Sequence, residues 1–149
     1  MNRIRVAPVV VAALVHFIFG AVWYTALSEP WLRGIGKTTE ELMAATGGKE
    51  PIAPYLVSFL CSLVIGYTLA WLLPRVGTVS AAAGAKLGLI LGIGIVVTTT
   101  WTEYAFEMRS FGITAINAGY PAIGMILMGA IIGGWNARAD RPKQRMAAA

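Results

Sequence analysis

The sequence predicts an all-α protein: an integral membrane four-helix bundle with a short amphipathic helix between helices one and two. Composition and arrangement both point there. Apolar residues fill 57% of the 149 positions and charged residues only 13%, against roughly 25% charged in ordinary soluble domains. The apolar residues also run in four blocks, each near the ~20 residues a helix needs to cross a hydrocarbon core. A soluble core of this size could not absorb them without exposing large patches. None of the blocks alternates with the period of two that a transmembrane barrel requires.

The first block runs from Pro8 to Leu27. Arg3 and Arg5 before it, and Ala26-Leu27-Ser28 at its end, loosely resemble a cleaved signal peptide. The block is long for that role and carries His16, Trp23 and Tyr24, so it is read as a true span. The connection from Ser28 to Ile52 is long and polar. Within it Thr38 and Glu41 have capping-box spacing ahead of a short helix that Gly47-Gly48 ends; Leu42 and Met43 would rest on the membrane or cover the bundle.

The second block, Ala53 to Pro74, is closed by its proline. It carries small residues every four positions: Ser58, Ser62, Gly66 and Ala70. Cys61, the one cysteine, excludes an internal disulfide or a cysteine metal cluster and reads as a small buried hydrophobe. The third block runs from Ala81 to Tyr104 and repeats the pattern at Gly84, Gly88 and Gly92. The fourth, Ile113 to Trp135, does so at Gly129 and Gly133. Such ridges let helix backbones approach closely, either within one chain or across a dimer; packing within the chain is the simpler reading. Pro121, inside the fourth block, is expected to kink it and to free the carbonyl of Asn117.

Orientation follows from the basic residues. Arg3, Arg5, Arg75, Lys86, Arg138, Arg141, Lys143 and Arg145 fall on one side; Arg33, Lys37, Lys49 and Arg109 fall on the other. The first side is expected to be cytoplasmic. That gives a multi-pass membrane protein with both termini inside. Residues 1–137 form the transmembrane domain and 138–149 a basic cytoplasmic tail. Trp71 and Trp135 are expected at the inner interface, and Trp23, Trp31 and Trp101 at the outer one. A net charge of +5 does not imply nucleic acid, because the basic residues form no continuous surface. Membrane lipids are the expected partners of the tail.

Few residues could carry chemistry. Glu103, near the outer end of helix three, shares a face with Thr99, Thr100 and Glu107. A carboxylate there either binds a proton or cation or sits solvated at headgroup level, paired with Arg33 or Arg109. His16 is the one histidine, near mid-membrane; a hydrogen bond to a neighbouring helix is favoured over a proton relay. Asn117 and Tyr120, with Tyr24 and Glu103, could form one polar pocket on the outer side, or serve as glue between helices. No catalytic triad, phosphate loop or metal-ligand spacing is present, and no cofactor or metal is expected.

The segments FEMRS (Phe106 to Ser110) and INAGYPAIGMILMGAIIGGW (Ile116 to Trp135), with AVWYTAL and WLRGIGKTTEEL between Ala21 and Leu42, resemble the bacterial membrane family catalogued as domain of unknown function 1761. Its motif residues here are Phe106, Glu107, Arg109, Asn117, Gly119 and Tyr120. The resemblance implies a small four-helix membrane protein and brings no activity. The function expected is therefore non-enzymatic: an oligomer, or an accessory subunit of a larger membrane complex. The alternative is a small-solute or proton/cation-coupled transporter, or a ligand-binding membrane protein, using Glu103.

Overall fold

The structure is a computed structural model that describes residues 4–49, 51–77 and 79–147, with side chains described as far as residue 140. Arg3, and the side chains of Arg141, Lys143 and Arg145, all counted in the charge bias, lie outside the described residues. Among the described residues every regular element is helical. They are α1 (Val6–Ala26), α2 (Ser28–Ile35), α3 (Thr39–Ala45), α4 (Ile52–Leu72), α5 (Ala81–Leu91), α6 (Thr98–Phe106) and α7 (Phe111–Ala147). A 3₁₀ turn (Leu73–Arg75) ends α4, and a π-helical segment (Gly92–Val97) joins α5 to α6. Four spans, Val6–Ala26, Ile52–Arg75, Ala81–Phe106 and Phe111–Asp140, are long and apolar enough to cross a membrane.

The caps follow local sequence. Thr38 accepts from the Glu41 N–H while the Glu41 carboxylate accepts from the Thr38 N–H, so two otherwise orphaned donors at the start of α3 are satisfied. Leu42 is half-buried and Met43 exposed. Ser80 accepts from the Ala83 N–H at the start of α5. The preceding helix α2 has no counterpart in the expected organisation. Its SEPWLRGI stretch is short and only partly apolar, and Gly36 ends it at φ 68°, a conformation glycine adopts without a Cβ penalty.

Helix α7 is the centre: α5, α1, α4 and α2 all pack on it. Its closest neighbour is α5, because glycines meet there. A Cβ built on Gly84 would overlap the carbonyl of Gly129, and one on Gly129 would overlap the carbonyl of Gly84. Gly88 lies as tightly on the Met125 carbonyl, and Gly133 on that of Ser80. The small-residue ridges of the third and fourth spans therefore face each other inside one chain. With no hydrophobic drive between helices in lipid, close packing of this kind and weak Cα–H···O contacts hold them. The ridge on α4 packs inward too: Ser62, Gly66 and Ala70 are buried, and Gly66 sits against Val9 and Met128.

What this leaves outside is apolar, as a lipid-facing surface requires. Val6, Leu14, Ile18 and Val22 of α1, and Leu56, Leu60, Val64 and Tyr67 of α4, are exposed. Cys61, expected to be buried, is exposed as well, because the small-residue ridge beside it takes the packed face. At the opposite end from α2, Arg5 pairs with Asp140 at 2.6 Å and donates to Asn136. This clamps the entry of α1 to α7. Helix α7 runs on without interruption through Pro121 and through the residues expected as a tail, ending at Ala147.

Candidate functional site

Two polar regions emerge, and they do not merge. The first is a ladder of aromatic and amide side chains where α1, α2, α4 and α7 meet. His16, 3% exposed, stacks on Tyr120 with ring centroids 4.7 Å apart and planes 4° from parallel. Its Nδ1 lies 2.9 Å from the Ser62 hydroxyl, and that hydroxyl donates to the Ser58 carbonyl at 2.8 Å. Ser62 has one proton and spends it on Ser58, so it accepts from His16. The imidazole proton is thereby assigned to Nδ1. Nε2 is buried without a hydrogen-bond partner among the described residues, and Gly124 packs on this edge of the ring, where a Cβ would overlap Cδ2 and Nε2.

One turn along α7 the ladder continues. Tyr120 meets Tyr24 edge-on at 5.4 Å and lies over Phe19 at 6.0 Å. Gly20 admits the Tyr120 ring; an added Cβ would lie 2.8 Å from it. Asn117 is the hub. Its Oδ1 accepts from the Tyr24 hydroxyl and from the Trp31 indole, each at 3.2 Å, and its Nδ2 donates to the Tyr104 hydroxyl at 2.9 Å. Trp23 donates to the Ile116 carbonyl at 3.1 Å and packs over Gly119. Arg109, paired with Glu107 at 2.9 Å, lies over the Tyr104 ring at 5.6 Å. Between them Met108 takes a positive φ of 54°, uncommon for a non-glycine residue, in the turn between α6 and α7.

Trp23 and Trp31, expected in the outer aromatic belt with Trp101, are half-buried. Trp23 and Trp31 turn inward and use their N–H groups to fasten α1 and α2 to α7, since an indole donor at an interhelical seam gains a partner there. Trp101 stays outward at 41% exposure, edge-on to Phe111.

The second region holds Glu103. It faces outward on α6, beside Thr98, Thr99 and Thr102 along a shallow groove of about 340 Å³. Its carboxylate has no hydrogen bond or ion pair with any described residue; the pairing considered with Arg33 or Arg109 is not made, because those two hold Glu29 and Glu107. The single pocket joining Glu103 to Asn117, Tyr120, Tyr24 and His16 is not what the structure forms. Consecutive helical residues point roughly 100° apart, so Tyr104 reaches inward to Asn117 while Glu103 looks away. The expected face of Thr99, Thr100, Glu103 and Glu107 is shifted as well. Thr98 and Thr102 line the groove beside Glu103 while Thr100 is half-buried; the preceding π-helical turn, with its wider i→i+5 repeat, rotates α6 as a unit relative to α5.

The threonines have already given their protons away. Thr98, Thr99 and Thr102 donate to carbonyls three or four residues back, at Gly94, Ile95 and Thr98 among others. What the face offers outward is acceptors: hydroxyl lone pairs and a carboxylate.

A family model described as Protein of unknown function (DUF1761) matches residues 7–133. The chain belongs to this family. No curated protein and no solved structure matches it. Of the motif residues of this DUF1761 chain, Asn117, Gly119 and Tyr120 join the ladder half-buried, the exposed Arg109 caps it over Tyr104 with Glu107 paired to it, and Phe106 is 86% exposed. Sequence reasoning missed Trp31, Tyr104, Ser62 and Gly124 as ladder members. Ser62 was visible as part of a small-residue ridge. The other three carry no local signal.

Replacing Asn117 tests the hub. In Asn117→Leu the Tyr24 and Trp31 donors lose their acceptor, at a cost of about 2–3 kcal/mol. Hydrogen exchange should rise first in α2, which Trp31 anchors; unchanged protection of α2 would contradict the role given to Asn117.

Proposed function

We propose that the chain is a non-enzymatic accessory subunit of a membrane complex, docking another polypeptide through the outward face of α6. The observation that carries this is the placement of Glu103. A carboxylate on a spanning helix is costly unless it meets water or a donor, and here the chain's own polar ladder turns away from it. The groove around Glu103 presents acceptors, so its complement is a helix that brings donors: Lys, Arg, His, Asn or Trp. The ladder itself is closely packed and serves as interhelical glue, which is the rigid frame an adaptor needs.

The setting that goes with this reading is a bacterial inner membrane with both termini in the cytoplasm, supported by the two-to-one bias of Lys and Arg toward that side. The groove beside Glu103 supports a second reading, a proton- or cation-coupled carrier whose route is completed only when chains pair.

A photo-crosslinking amino acid at Thr102 in living cells separates the two. A discrete adduct is expected at Thr102, absent when the same probe replaces lipid-facing Val64, and reduced at least fivefold by Glu103→Leu. A carrier instead gives pH-dependent flux in proteoliposomes of the purified chain, lost in Glu103→Gln. Absence of any adduct at Thr102 overturns the subunit reading.

A further inference from the structure

At the end opposite Glu103, an open groove of about 730 Å³ runs along α7 beside Ala81 of α5, within the range of roughly 300–1,000 Å³ typical of ligand sites. Its floor is small and apolar: Ala81, Ala130, Ile131 and Gly134. Its mouth carries Trp135 and Arg138. Trp135 is 43% exposed. Arg138 is exposed and has no ion pair with a described residue. From Ala130 to Arg138 the helix rises about 12 Å, somewhat less than one leaflet of a hydrocarbon core of ~30 Å.

We infer that this groove binds one anionic phospholipid, its acyl chain along the alanine and glycine floor and its phosphate at Arg138. The apolar floor offers no polar partner, so a soluble anion would fill only the mouth. An indole at the rim belongs at headgroup level. Charge selects the headgroup. Lys86 on α5 is exposed, and Arg141, Lys143 and Arg145 follow in the same chain. The acid nearest in sequence, Asp140, is engaged by Arg5. This site is separate from the α6 face and does not depend on what docks there.

The test is native mass spectrometry of the full chain released from micelles containing phosphatidylglycerol or phosphatidylcholine. Phosphatidylglycerol should be retained roughly fivefold better, because the choline cation of phosphatidylcholine offsets the phosphate charge that Arg138 and its basic neighbours attract. Arg138→Gln should abolish that preference. Arg75→Gln removes the same charge at the same end, but its guanidinium lies over Trp71 at 3.9 Å, outside the groove, so the preference should survive. Ala130→Leu, which fills the floor, should lower retention of both lipids in a chain whose helical circular dichroism is unchanged. Equal retention of the two lipids by the unaltered chain, equal losses in Arg75→Gln and Arg138→Gln, or displacement of the lipid by millimolar inorganic phosphate would each overturn the proposal.

Discussion

Gly129→Ala is expected to destabilise the protein by about 3 kcal/mol, the upper end of what overpacking costs. Helix propensity alone works the other way, since alanine is favoured over glycine by about 1 kcal/mol within a helix. Packing decides the sign. The new methyl would meet the Gly84 carbonyl, which is backbone and cannot rotate aside. The helices must then separate along the whole seam, loosening Gly88 from Met125 and Gly133 from Ser80. Unfolding in mixed micelles, followed by tryptophan fluorescence, gives the midpoint. Gly94→Ala is the control: nothing lies within 4 Å of its would-be Cβ, so the change should be neutral or stabilise by up to about 1 kcal/mol. A Gly129→Ala chain as stable as the parent would show that α5 and α7 do not touch as described.

The second large effect lies at His16 and Gly124. Gly124→Ala places a methyl against an imidazole that cannot yield, being held by Ser62 at Nδ1 and by Tyr120 across its face. About 2 kcal/mol should be lost. His16→Ala alone should cost a similar amount by leaving a cavity. In the double variant the new methyl occupies part of the space the ring vacated, so the losses should fall short of their sum by about 2 kcal/mol, within the coupling range of contacting residues. Strict additivity would sink the proposed contact.

Much of the frame was legible because lipid imposes a simple rule: apolar length and small-residue spacing. The four spans and the glycine seam of α5 and α7 follow from it, and the capping box at Thr38 and Glu41 from local hydrogen-bonding chemistry. Helix α2 was not legible, since SEPWLRGI is too short and mixed for its periodicity to speak, and it is held by Trp31 reaching Asn117 across the fold. The π-helical turn at Gly92–Val97 was hidden too. Its consequence, the outward swing of Glu103, cannot be read from α-helical spacing alone. His16, Tyr24, Asn117 and Tyr120 stand out in the sequence as polar residues in apolar helices. Their joining into one ladder depends on interhelical distances that no local pattern encodes, and so does the exclusion of Glu103.

The orientation of α6 is the claim on which the functional reading turns, and a spin-label scan of positions 98–106 in bilayers measures it directly. With the purified chain alone, labels at Thr98, Thr99 and Thr102 should collide freely with oxygen or a lipid-phase relaxant, while one at Tyr104 should be shielded. Labels at Asn117 and Tyr120 should be inaccessible to a water-soluble nickel complex. The opposite pattern, with Thr98 and Thr102 shielded and Asn117 open to nickel, would mean that Glu103 faces a water-filled interior and that the bundle is a conduit rather than a docking frame.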